Sequence, residues 1–159
     1  MNEIEIIHSI RKFNRNYVRS IGLLEKSFLN TGYSLTESHI LYIVKEQGKT
    51  TATEINKVLN LDEGYLSRII KKLILNSILT KEKSKDDKRV FKISLTEKGI
   101  KEQQKLDDLS SDSVAGIISH LSLPEQKELA HSFNKIMGLL YGEWVGDSIF
   151  IILLILIGF

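Results

Sequence analysis

The chain has no cysteine among its 159 residues. That one absence excludes a disulfide framework, a thiolate zinc site, an iron–sulfur cluster and a cysteine redox sensor. Proline occurs once and glycine ten times, so few breakers interrupt long helices. The N-terminus, Met1-Asn2-Glu3-Ile4-Glu5, lacks the basic region and apolar core of a secretory leader, and the cytoplasm is the expected compartment. The four histidines, His8, His39, His120 and His131, include no pair at the i, i+4 spacing of a zinc site. No Ser-His-Asp or paired-carboxylate arrangement emerges from spacing. Neither an enzyme nor a cofactor or metal is expected.

What is present has the make-up of a folded domain: 42% hydrophobic and 26% charged residues in 18.1 kDa, with room for one domain and dimerisation arms. The net charge of +2 is unevenly placed. From Lys57 to Lys92 there are ten Lys and Arg against five Asp and Glu, a local excess of +5, so the remainder sums to −3. A basic middle between acidic ends fits either an anionic partner, nucleic acid first, or a solvated lysine-rich face.

Apolar periodicity orders the elements. Ile6, Ile10, Phe13, Tyr17, Ile21, Leu24 and Phe28 recur at steps of three and four, a helical stripe broken by Asn30-Thr31-Gly32. Thr36 is the expected cap of a second helix that buries Ile40, Leu41, Ile43 and Val44 and ends at Gly48. Thr51-Ala52-Thr53-Glu54 reads as a capping box opening a short helix through Val58. Asp62 caps the next, whose apolar face is Leu66, Ile69, Ile70, Leu73 and Ile74. Two β-prone runs, 77–83 and 89–95, flank the polar turn 84–88 and predict a hairpin. Thr96-Glu97-Lys98-Gly99 opens a further helix to about His120. Ser122-Leu123-Pro124-Glu125 caps a last one striped by Leu129, Phe133, Ile136 and Leu140. Three helices followed directly by a two-stranded hairpin make a winged helix–turn–helix, a mainly α fold with a two-stranded β-wing. Residues 62–76 are then its recognition helix. Their outward residues, Glu63, Gly64, Tyr65, Ser67, Arg68, Lys71 and Lys72, supply cations, a hydroxyl, an aromatic ring and a close-approach glycine.

At this point the chain resembles the MarR family of bacterial winged-helix regulators, over about Ile4 to Leu140. Leu35-Thr36-Glu37, Thr51-Ala52-Thr53-Glu54-Ile55, Asp87-Lys88-Arg89 and Ile93-Ser94-Leu95-Thr96-Glu97-Lys98-Gly99 carry the likeness, the last string most specifically. Leu61-Asp62-Glu63-Gly64-Tyr65-Leu66-Ser67-Arg68 is similar to the recognition helix of MarR-type domains fused to an acetyltransferase, although Glu63 stands where those often have proline. The residues left after Leu140 are expected to be too few for such an enzyme. The resemblance implies a homodimer made by the first and last helices (about 3–29 and 97–141) around a DNA-binding lobe (about 35–95), together filling 1–141. It further implies a palindromic operator on double-stranded DNA, a repressor's role, and often a small aromatic or anionic effector.

The resemblance also orders the site. Arg89 is expected in the minor groove, where narrow A·T tracts concentrate negative potential, held by a bidentate pair with Asp87. Lys85 and Lys88 join it at the wing tip. Arg68 and Lys72 are expected on phosphates with Lys71, Thr53 either on another or simply in solvent, and Gly64, Ser67 and Tyr65 in the major groove unless Tyr65 packs against the hairpin. Glu63 accepts from cytosine or answers the helix dipole. The nine apolar residues from Ile149 to Ile157 fall short of the ~20 that span a bilayer, so membrane association is not expected of this 142–159 extension. Burial in the dimer, or a shifted reading frame after loss of a fused domain, would account for it. Two other functions stay open: a winged-helix protein-interaction module without an operator, and a peripheral membrane regulator anchored by the tail.

Overall fold

The computed structural model describes residues 1–20, 28–85 and 87–141. Ile21 and Leu24 of the first stripe, Asp86 of the hairpin turn and the apolar run 149–157 lie outside the described residues. In chain order the elements are α1 (Glu3–Ser20), a 3-10 turn (Phe28–Asn30), α2 (Leu35–Gln47), α3 (Ala52–Leu59), α4 (Glu63–Leu75), β1 (Leu79–Lys83), β2 (Phe91–Leu95), α5 (Glu97–Ile118) and α6 (Leu123–Tyr141). This is the helix–turn–helix with a β-wing that the periodicity predicts.

Two compact units emerge. One holds the 3-10 turn, α2, α3, α4, the hairpin and α5 as far as Ser110; the other holds α1, α5 from Ser111, and α6. The core of the first is built where the stripes place it. Ile40, Leu41, Ile43 and Val44 of α2 pack with Ile55 and Leu59 of α3, Leu66, Ile69, Ile70 and Leu73 of α4, Ile78 and Leu79, Ile93 and Leu106. In the second unit, Phe13 stacks on Tyr17 at 5.4 Å and Tyr17 tilts against Phe133 at 5.7 Å. Ile4, Ile6, Ile7 and Ile10 of α1 and Ile136, Leu139 and Leu140 of α6 remain exposed.

Several local expectations are corrected. The cap of α2 is Ser34, not Thr36: the Ser34 hydroxyl accepts from the Glu37 N–H and the Glu37 carboxylate accepts from the Ser34 N–H. The box needs a hydroxyl three residues before a Glu, which Ser34 satisfies and Thr36 does not. Phe28, the last member of the first stripe, stands in the 3-10 turn, packs on the core of its own unit beside α2, α3 and α4, and precedes Leu29 and Asn30 at φ +50° and +58°. Ser77, also at positive φ, turns the chain, so β1 begins only at Leu79. Arg89 and Val90 precede β2 rather than belonging to it.

The hairpin pairs Leu79 with Leu95 and Lys83 with Phe91 in antiparallel register. Its root is held twice more. Thr50 exchanges both backbone hydrogen bonds with Ile93, at 3.0 and 2.7 Å, as an isolated bridge beside β2. At the start of α5, the Thr96 hydroxyl donates to the Ser77 carbonyl and accepts from the Gly99 N–H. A Cβ on Gly99 would lie 2.1 Å from the Ile78 carbonyl oxygen. The Thr96-Glu97-Lys98-Gly99 string is therefore a docking device: the threonine caps α5 and the glycine lets it touch the backbone before β1.

Candidate nucleic-acid interface

The interface is built on α3, α4 and the wing. The predicted box at the start of α3 is present, with the Thr51 hydroxyl accepting from the Glu54 N–H and the Glu54 carboxylate accepting from the Thr51 N–H. Bonds from Thr51 and Thr50, with Lys92 3.9 Å away, hold the Glu54 carboxyl below the usual carboxylate range. Asn60, in the left-handed conformation, ends α3. Asp62 then caps α4 by accepting from the Tyr65 N–H at 2.8 Å. With Leu66, Ile69, Ile70 and Leu73 buried, Glu63, Gly64, Tyr65, Ser67, Arg68, Lys71 and Lys72 are all exposed.

Six of those seven residues, all but Tyr65, fall into two strips, because α-helical neighbours on a face are four apart. Glu63, Ser67 and Lys71 line an open groove of about 960 Å³ between α3, α4 and the wing. Thr53 and Lys57 line it from α3, and Lys81, Arg89 and Phe91 from the hairpin. The second strip, Gly64, Arg68 and Lys72, lies outside the groove lining. A Cβ on Gly64 would sit 3.5 Å from an Arg68 guanidinium nitrogen and 3.3 Å from an Asp62 carboxylate oxygen. Both are side-chain atoms. The fold thus does not demand glycine there, and the bare backbone remains open to a partner.

At the wing tip the expected pair is formed. Arg89 donates through Nε and Nη2 to the two Asp87 oxygens, each at 3.2 Å, and its N–H donates to Asp87 Oδ1 at 2.9 Å. The Arg89 bonds hold the Asp87 carboxyl below its ordinary range. The Arg89 side chain is 92% exposed, so the cation is ordered yet open to solvent. Lys85 and Lys88 flank it in the same exposed turn. Further down the hairpin, the Lys81 ammonium sits 4.2 Å from the Phe91 ring centre, a cation–π contact. Lys49 pairs with Glu82 across the outer face.

The structure brings Thr53, Glu63, Ser67, Lys71 and Arg89 to one groove. It places Tyr65, Gly64, Arg68 and Lys72 to one side and Lys85, Asp87 and Lys88 at the tip. Lys72 has a partner of its own: its ammonium donates to Glu37 of α2 at 2.6 Å. Sequence reasoning missed Glu37 as an ion-pair partner, Thr50 as the bridge to the wing, and Lys57 and Lys81 as groove cations. Ser34-x-x-Glu37 carried a readable cap signal, whereas the pairings Glu37–Lys72 and Thr50–Ile93 join residues far apart in the chain. Among the described residues no group of three or more His, Asp and Glu is placed to hold a metal, and no helix is long and apolar enough to cross a membrane.

Comparison with known proteins points the same way. The MarR family model matches residues 33–91. The helix–turn–helix transcriptional regulator YkoM of Bacillus subtilis is 31% identical over 104 residues, 65% of this chain and 68% of that protein. The regulator BilQ of Clostridium symbiosum is 29% identical over 97 residues, 61% of this chain and 67% of that protein. Among solved structures, YusO of Bacillus subtilis shares the fold at a TM-score of 0.68 and 17% identity, covering 86% of this chain and 97% of that one. A mutant MarR from E. coli complexed with operator DNA has a TM-score of 0.57 at 20% identity, covering 84% of this chain and 91% of that one.

Proposed function

The chain belongs to the MarR family of transcriptional regulators, and from that premise we propose that it binds double-stranded DNA sequence-specifically, as a homodimeric repressor on a palindromic operator. The observation that carries this reading is the wing-tip arginine. Arg89 is nearly fully exposed, pre-ordered by Asp87, and lines the same groove as Ser67 and Lys71 of α4. A narrow minor groove rewards such a cation, and a helix beside it presents Gly64, Tyr65 and Ser67 to base edges. Arg68, Lys71, Lys85 and Lys88, with the Thr53 hydroxyl, supply phosphate contacts. Lys72 stands apart through its bond to Glu37. Glu63 either accepts from cytosine or favours the N-terminus of α4.

The homodimer is supported by the apolar residues that α1 and α6 leave exposed, more than a lone soluble unit usually presents. Two such subunits place two α4 helices on half-sites about one helical turn apart. Release by a small aromatic or anionic effector accompanies this reading as a property of the family.

Selection of bound duplexes from a random pool tests the proposal. A palindromic enriched motif, bound with strong salt dependence, is expected. The absence of any enrichment overturns operator binding and favours the interaction-module function.

A further inference from the structure

Glu37 differs from the other acids in the described ion pairs. Its side chain is 6% exposed, against 25% or more for each of the others. It carries two duties at once, accepting from the Ser34 N–H to cap α2 and from the Lys72 ammonium to tie α2 to α4. Burial pushes its carboxyl up, but the bonds from Lys72 and Ser34 outweigh that and hold it below the usual range. A carboxylate withdrawn from water to this degree is costly unless paired. Lys72 is the cation that pairs it.

Helical geometry explains why Lys72 and not its neighbour does this. At about 100° per residue, Lys71 lies roughly opposite the buried face of α4, beside the groove. Lys72 falls at the margin of the buried face, on the α2 side. Its 60% exposure belongs to a side chain that folds sideways onto the next helix. The N-terminal end of α4 is anchored by the Asp62 cap; Lys72, one turn from the other end, is its polar anchor to α2.

We propose that Glu37 and Lys72 form a clamp that sets the pose of the recognition helix, so that Lys72 is a positioning residue rather than a phosphate contact. The proposal deepens the DNA-binding reading and rests on it. Glu37 then matters to DNA binding although it is an acid, is buried and lies on another helix. A phosphate contact and a positioning residue differ in one readout. Each phosphate neutralised by a cation contributes about 0.9 to the slope of log affinity against log salt, whereas a clamp changes affinity without releasing counterions.

The experiment titrates the full chain into a fluorescent duplex enriched from a random pool, over a series of KCl concentrations. The parent is compared with Glu37→Gln, Lys72→Met, Lys72→Arg, the double variant Glu37→Gln/Lys72→Met, and Lys71→Met. Gln keeps the acceptor that the Ser34 N–H needs, and Lys72 is largely solvent-facing, so both singles retain helical circular dichroism. Each single is expected to weaken binding about three- to tenfold, with the double no weaker than the worse single. Their salt slopes stay at the parent's, and Lys72→Arg binds within about twofold of the parent. Lys71→Met lowers the slope by about 0.9. A comparable fall in slope for Lys72→Met, with Glu37→Gln binding like the parent, overturns the clamp alone and makes Lys72 a phosphate contact. A folded parent that binds no duplex overturns the DNA-binding reading, and the clamp with it.

Discussion

At the scale of single residues, position and function separate most clearly at Arg89 and Gly99. Arg89 contributes nothing to the core, yet three hydrogen bonds to Asp87 order it. Replacing it with alanine removes the cation itself, while Asp87→Ala leaves the cation present and less ordered. Operator affinity is therefore expected to fall about ten- to a hundredfold for Arg89→Ala, by the strength of a charge-assisted contact, and by less for Asp87→Ala. The loss should shrink when A·T flanks are replaced by G·C, whose wider groove has less potential to offer; titration of both variants on both duplexes measures it. Gly99 is the opposite case, structural and silent towards a partner. With the Ile78 carbonyl oxygen 2.1 Å from where a Cβ would stand, Gly99→Ala must push backbone. A loss of about 1–3 kcal/mol is expected, read as a lower urea midpoint at unchanged slope. A variant as stable as the parent would show that α5 docks with slack.

Elements were legible to the extent that their signals are local. The apolar faces of α2 and α4, the Thr51–Glu54 box and the β-prone runs of the wing depend on neighbours in sequence, and each appears close to where the sequence predicts, the two strands starting two residues late. The Asp87–Arg89 pair was legible through the resemblance of Asp87-Lys88-Arg89 to the family's wing. What escaped was pairing over distance. Nothing near Thr50 announces a bridge to Ile93, and nothing near Glu37 announces Lys72, because each link is made only once the core has brought the elements together. The break of the first stripe at Asn30-Thr31-Gly32 was legible too, since Asn30 and Gly32 both take positive φ, but not that Phe28, which keeps the apolar spacing, stands in a 3-10 turn. For α4, the expected base readers and the expected phosphate contacts predict different phenotypes. Ser67→Ala and Tyr65→Ala should change preference at particular operator positions with little effect on salt slope. Arg68→Ala should weaken all sequences about equally and reduce the slope by about one unit. Competition titrations against single-base operator variants distinguish the two; position-specific effects from Arg68 alone would exchange the roles.

At the scale of the whole molecule, association and pH response carry the expectations. The exposed isoleucines of α1 and the leucines at the end of α6 predict that the 18.1 kDa chain elutes at twice that mass in light scattering. Ile10→Asp, a charge placed in that apolar face, should shift it towards the monomer and reduce operator affinity. A parent already monomeric at micromolar concentration would remove the dimer from the proposal. Stability should also depend on pH through His39, which is 1% exposed and whose burial lowers its pKa from 6.5 to about 4. The unfolded chain takes up a proton below about 6.5 and the folded chain only near 4, so stability falls as pH drops through that window and is flat above it. The contribution is roughly 3 kcal/mol. His39→Leu should lose that part of the slope in urea unfolding at pH 4.5 and 7, and an unchanged slope would assign it to carboxylates instead. The Thr50–Ile93 bridge has a further consequence, in the language of amide hydrogen exchange. The two N–H groups that cross it can meet solvent only when the strand edge parts from the residue preceding α3, so their protons should exchange at the rate of large, cooperative openings. The N–H of Arg89 is held only by a side chain two residues away and can exchange by a local fluctuation. The wing is thus slow at its root and fast at its tip, free to adjust its arginine to a groove without loosening the helices behind it.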